Sequence, residues 1–320
     1  MRLVAAAILG TAVLLAPSAS AHRLGGAPVA LITAEQQNKL FAIELPSGKR
    51  LRSATLPADP QNVAVGRRVA VVVSTKAHAA TLLDVNTLRI LKVIRAFAVP
   101  HIVVIPQGGD LAYVTDDARG MMSTIDLETW RVIDLLVVGI GAHHMTVSPD
   151  GKRAWIALGE HATKIAILSL VNPRKPTPVR TFSPAFVAHD VTFSPDGRRV
   201  WVTSGSGDSI HVLNARSGKE VFAVRVGAAP QHVVFSDPGG SAFVTSGYSS
   251  RIVKVAPDTG RIVKSARTPY GSFNLSTAGG LVVTTSLLNG RLTEFDTSLK
   301  RLRTIRATDA ARAVALTVWR

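Results

Sequence analysis

His189–Ser204 reads HDVTFSPDGRRVWVTS, and His143–Leu158 reads HHMTVSPDGKRAWIAL. In both, apolar and polar residues alternate, run into Ser-Pro-Asp-Gly and then alternate again. Alternation is the period of a half-buried strand. Ser-Pro-Asp-Gly supplies a fixed proline φ, a side-chain acceptor and a glycine free to take positive φ. Each stretch is therefore a β-hairpin, and the near-identity of the two makes it a repeated one.

Four further copies follow the same plan with less identity: PQNVAVGRRVAVVVS (60–74), PHIVVIPQGGDLAYVTD (100–116), PQHVVFSDPGGSAFVTS (230–246) and SFNLSTAGGLVVTTS (272–286). The first residue of each alternation is Asn62, His101, His144, Asp190, His232 and Ser272, with separations of 39, 43, 46, 42 and 40. A period near forty residues with short strands in every unit is the mark of a β-propeller. Residues 188–227 parse into four strands, a (Asp190–Phe193), b (Val200–Thr203), c (Ser209–Leu213) and d (Glu220–Val226). Residues 29–57 match strands b, c and d but lack a, and residues 311–318 match strand a alone. One blade is thus divided between the two ends of the sequence, which closes a ring of seven and leaves no free sheet edge. NPRKPTP (172–178) is an insertion between strands c and d of one unit.

These repeats resemble the YVTN family of bacterial exported propellers. The motif stands here as Tyr113-Val114-Thr115-Asp116, with Trp201-Val202-Thr203-Ser204 and Phe243-Val244-Thr245-Ser246 as variants and SPDG at 148–151 and 194–197. The resemblance spans the chain from residue 22 on. It implies a seven-bladed all-β propeller, and for function a range: envelope-surface binding, DNA binding, lactonase-like chemistry, or haem or copper carriage.

Residues 1–21 have the form of a secretory signal: Arg2, an apolar run Leu3–Ala16, and Ala19-Ser20-Ala21 as a cleavage site. They predict export to the periplasm or medium, a mature domain of residues 22–320, and no membrane-spanning segment within it. With no cysteine among 320 residues, disulfides and thiolate ligands are excluded. The formal net charge of +16 favours polyanions such as DNA or an anionic envelope polymer. Arg67, Arg68, Lys152, Arg153, Arg198 and Arg199, which follow the a–b turns, would supply such a face. A solvated polar rim accounts for the same residues.

The chemistry-bearing pattern is the histidines. Strand a lines the axial channel of a propeller, and the d–a and b–c loops share one face. His101, His144 and His232 therefore fall at the channel mouth, in one ring with Asn62, Asp190 and Ser272. His143, His189 and Arg312 fall in the neighbouring column, and His78, Glu160 and His161 fall in b–c loops of the same face. Imidazoles so gathered suit Cu or Zn, or a small ligand anchored by Arg312. The alternative is scaffolding, with each histidine bonded to an acid such as Asp116, Asp117 or Asp208 in a b–c loop. Because side chains alternate along a strand, His143 and His144 are expected to point to opposite sides. The function expected is binding or interaction through this face by a monomer, with a small-molecule or protein partner. Metal-dependent catalysis at the histidine mouth and polyanion binding are the alternatives.

Overall fold

The computed structural model describes residues 26–45, 47–106, 108–236 and 240–319. The signal-like segment and His22 lie outside them. Seven four-stranded antiparallel sheets make up the molecule. Among the described residues, the only helical turns are two short 3-10 segments, Glu35–Gln37 and Gly247–Ser249. Numbered along the chain, blade 1 holds strands Ala27–Ala34, Lys39–Glu44 and Arg50–Thr55, completed by Ala311–Trp319. Blades 2 to 7 begin at Pro60, Pro100, Ala142, Val191, Val233 and Ser272. The first strands of successive blades touch in cyclic order, and Ala311–Trp319 sits between those of blades 7 and 2. The ring is therefore closed by the divided blade, as the repeat count predicts. In blade 5 the strands run Val191–Phe193, Arg199–Thr203, Ser209–Asn214 and Glu220–Arg225, within one residue of the boundaries read from the alternation.

The period-2 pattern explains the packing. In blade 2, Val69, Val71 and Val73 pack on blade 3, while Ala70 and Val72 from the same strand pack on blade 1. Both faces of a middle strand are thus buried, and strand Val69–Ser74 has no exposed residue. Each junction between adjacent blades holds its own apolar cluster, so the core is a ring of interfaces rather than one central mass. Tyr113, Trp155, Trp201 and Phe243 occupy one repeat position, each fully buried against the next blade. Burying an aromatic of that size removes about 150–250 Å² from water, which makes this position the main apolar anchor of each junction. The outermost strands carry the solvent-facing residues; Arg50–Thr55 has no buried residue at all.

The turns behave as their residues require. Ser148 Oγ bonds Asp150 Oδ1 at 2.5 Å and accepts Arg153 N–H at 2.9 Å, with Gly151 at φ 69°. Ser194, Asp196, Arg199 and Gly197 (φ 68°) repeat that arrangement. The threonine of the repeat motif links blades. Thr115 Oγ1 donates to His143 O, Thr203 Oγ1 to Gln231 O and Thr285 Oγ1 to Arg312 O, each at 2.8 Å, and Thr245 Oγ1 donates to Phe273 O. Every one of these carbonyls lies where an inner strand enters the channel mouth.

Candidate functional site: a histidine-lined channel mouth

The inner strands enter the channel through a backbone irregularity. In blade 4, Ala142 pairs with Leu158 and Met145 with Ile156, so three steps on the inner strand face two on its partner. Blade 3 does the same between Pro100 and Val103, and related shifts occur at Pro60/Asn62 and Ser272/Asn274. An extra residue of this kind is a β-bulge, which locally redirects side chains. Its effect corrects the expectation for the paired histidines. His143 and His144 both line the mouth, with ring centroids 4.7 Å apart and planes at 82°.

The mouth is a cavity of about 490 Å³ lined by five clustered imidazoles, those of His101, His143, His144, His189 and His232. His144 is the hub. Its ring centroid lies 4.5 Å from His189, 5.0 Å from His232 and 5.3 Å from His101. His101 stacks on His143 with centroids 3.6 Å apart and planes at 15°. Two groups of three, His101/His143/His144 and His144/His189/His232, each bring their ligating nitrogens within 4.8 Å of one another.

Oxygen atoms back four of these rings. Asp117 Oδ2 lies 2.6 Å from His143 Nδ1. Asp190 is shared, with Oδ1 at 3.5 Å from His144 Nδ1 and Oδ2 at 3.3 Å from His232 Nδ1. The Glu160 carbonyl bonds His189 Nδ1 at 3.1 Å. Asp190 is itself fixed by its own backbone N–H, which donates to Thr203 Oγ1 at 3.0 Å. Gly205, at φ 64°, passes so close that a Cβ there would stand 2.7 Å from His189 Cβ.

Burial and mutual repulsion keep three of the rings, those of His101, His144 and His189, neutral. His101 and His144 are both held well below the usual imidazole range, first by burial and then by neighbouring histidines. His189 is lowered to about 4, chiefly by burial and then by His232, against the raising effect of Glu160 O and Asp190. A neutral imidazole has a free lone pair on one nitrogen, which is the state that binds metal.

The remaining residues singled out in the sequence divide. Asn62, Arg312, Glu160 and His161 do line the cavity. Arg312 is already committed, with Nη1 3.2 Å from Glu35 Oε2 and Nη2 3.2 Å from Gln61 Oε1. Ser272 is buried outside the lining and donates to Pro269 O at 2.7 Å, and Phe273 and Asn274 take its place at the wall. His78 turns away and bonds Ala98 O. Of the acids proposed as scaffolding partners, only Asp117 meets a histidine. Asp116 accepts the Ala98 and Val99 N–H groups, and Asp208 pairs with Arg225. Tyr248 and Phe273 were not foreseen as wall residues; Tyr248 lies in a b–c loop, the place that would have suggested it.

On the opposite face the basic residues are partly engaged. Arg67 pairs with Asp110 at 3.0 Å, Arg153 donates to Ala215 O at 3.2 Å, and Arg199 donates to Pro257 O at 2.7 Å. Arg68, Lys152 and Arg198 are exposed.

No protein-family model matches this sequence, and no curated protein matches it either. Solved structures do. A functionally unknown protein from Desulfotomaculum acetoxidans superposes with a TM-score of 0.79 at 15% identity, covering 91% of this chain and 99% of that one. A protein from Lactobacillus plantarum gives 0.74 at 14% identity, over 91% and 99%. Hydrazine synthase of Kuenenia stuttgartiensis gives 0.63 at 18% identity, over 75% and 77%. At these identities the likeness establishes the seven-bladed propeller and leaves function to the site. Among the described residues no helix is long and apolar enough to cross a membrane.

Proposed function

We propose that this propeller is an extracytoplasmic binding module whose channel mouth takes a transition-metal ion, Cu or Zn. The observation that carries this is the packing of five imidazoles into two overlapping groups of three, with ligating nitrogens within 4.8 Å. Imidazole suits both ions, and the lowered proton affinity of His101, His144 and His189 removes the competitor that would otherwise occupy the nitrogens near neutral pH. Asp190, 3.5 Å from His144 Nδ1 and 3.3 Å from His232 Nδ1, stands where an outer partner that orients metal-bound histidines would stand. The signal-like residues 1–21 of the sequence support the extracytoplasmic part of this reading.

The test is metal content of protein purified without a histidine tag, compared with a variant in which His101, His144 and His232 are all alanine. Stoichiometric Cu or Zn in the parent, lost in the variant, supports the reading. A parent that stays metal-free and gains no thermal stability from either ion refutes it. A second reading, metal-dependent catalysis, is favoured by one feature: a cavity of about 490 Å³ is far larger than an ion and leaves room for a small molecule beside it.

A further inference from the structure

The two overlapping histidine groups are not equivalent, and the difference assigns the ligands. This inference rests on the metal-binding reading above and deepens it. A metal bound to an imidazole nitrogen lies close to the ring plane, along the lone pair. Tetrahedral or trigonal coordination therefore needs rings whose planes are inclined and whose lone pairs converge. His101 and His143 are stacked face to face, 3.6 Å apart with planes at 15°. Lone pairs on two such rings run side by side, so an ion midway between them would stand about half that spacing off both planes. His144, His189 and His232 are inclined to one another by 60°, 61° and 50°, and their nitrogens come within 4.8 Å.

Backing oxygens are a second observation: they lie behind every ring of the inclined set and behind His143, where Asp117 Oδ2 is 2.6 Å from Nδ1, and none is found behind His101 among the described residues. In the inclined set every ring has an oxygen behind Nδ1: Asp190 Oδ1 behind His144, Asp190 Oδ2 behind His232 and Glu160 O behind His189. All three rings then present Nε2 as the free donor. Asp190 reaches two of them with its two oxygens, while its Oδ2 also accepts Val233 N–H at 3.4 Å. It is 8% exposed.

We propose that His144, His189 and His232, from blades 4, 5 and 6, form a single three-nitrogen site for one divalent ion. Asp190 is the positioning residue that sets the ring orientation of two ligands at once. The stacked His101–His143 pair is a wall of the mouth, not a donor. Because His144 belongs to both groups, the mouth holds one ion. Three donors leave a coordination position open to the cavity, where a Lewis-basic group of a second ligand fits.

The experiment uses the tag-free protein with cobalt(II) as a spectroscopic probe and Zn in competition against a chromophoric chelator. One equivalent of ion is expected. His144→Ala, His189→Ala and His232→Ala should each weaken Zn binding about 100-fold or more, while His101→Ala and His143→Ala change it by less than about 3-fold. Asp190→Asn should weaken it about 10- to 100-fold, the range typical of outer-shell partners, and alter the cobalt absorption band, with Asp190→Glu recovering part of the loss. Thermal unfolding in chelator checks that each variant folds; where an alanine variant does not, glutamine replaces it. Equal losses at His101 and His189, two equivalents of ion, or an unchanged affinity in Asp190→Asn overturn the assignment while leaving metal binding intact. A parent protein that binds neither ion overturns both this inference and the reading it rests on.

Discussion

Acid should loosen the metal-free protein in a pH window set by its histidines. His189 has a folded-state value of about 4 against an ordinary 6.5. The unfolded chain therefore binds a proton between those values that the folded chain does not, and stability falls as pH drops through the window. The difference of about 2.5 units amounts to about 3 kcal/mol once both states are fully protonated, and to about 2 kcal/mol at pH 5, relative to pH 7.5. His101 and His144 are shifted in the same direction and add to the loss. Carboxylates held low do not confuse the result. Asp126, lowered to about 2 mainly by the Thr129 N–H bond, destabilises only below its ordinary 3.8. The assay is urea unfolding in excess chelator at pH 7.5, 6.5, 5.5 and 5.0 for the parent and for His189→Gln. The parent should lose stability progressively below 6.5, and the variant should lose about 2 kcal/mol less between the extremes. A parent equally stable at pH 7.5 and 5.0, or a variant with the parent's slope, would show that the cluster is not held neutral by burial.

Two further outcomes test how the scaffold serves the site. Thr203→Val removes the hydroxyl that accepts Asp190 N–H and donates to Gln231 O; it should cost about 1–3 kcal/mol in urea unfolding, with Thr203→Ser largely restoring it. Gly205→Ala forces a side chain into left-handed backbone and against His189 Cβ. It should cost about 1–2 kcal/mol and weaken Zn binding several-fold by chelator competition, and an unchanged affinity would show that His189 is not held in place by this contact.

The ring of blades was legible because its information is local and repeated. The continuous apolar run Val69–Val73 states that both faces are buried, and Ser-Pro-Asp-Gly states where the chain turns. Even the division of blade 1 could be read, since each end of the chain supplies only part of a unit. The location of the histidines at the mouth was legible for the same reason. Their orientation was not. A single inserted residue at the head of an inner strand turns His143 and His144 to the same cavity and exchanges Ser272 for Phe273 at the wall. Alternation cannot reveal where it is interrupted. Likewise the sharing of Asp190 between His144 and His232 joins side chains from three blades, and no spacing within one repeat encodes it. His78 occupies a loop that points the right way in outline, but its φ of 54° and its bond to Ala98 O are decided by its own turn.

The strand that closes the ring also sets when the mouth is finished. His144, His189 and His232 all come from the middle of the chain, yet Ala311–Trp319 pairs with Ala27–Ala34 and brings Arg312 to the rim beside Gln61. During synthesis the blades bearing the imidazoles emerge long before that strand does. Until it arrives, the Ala27–Ala34 edge stands open and the fan of blades is free to splay. Convergence of the three nitrogens depends on the angle between neighbouring blades, so a chain stopped short of residue 311 would carry every proposed ligand and still lack the curvature that aims them at one point. A closed ring is in this sense a condition for the proposed chelation, enforced by geometry at a place where no proposed ligand lies.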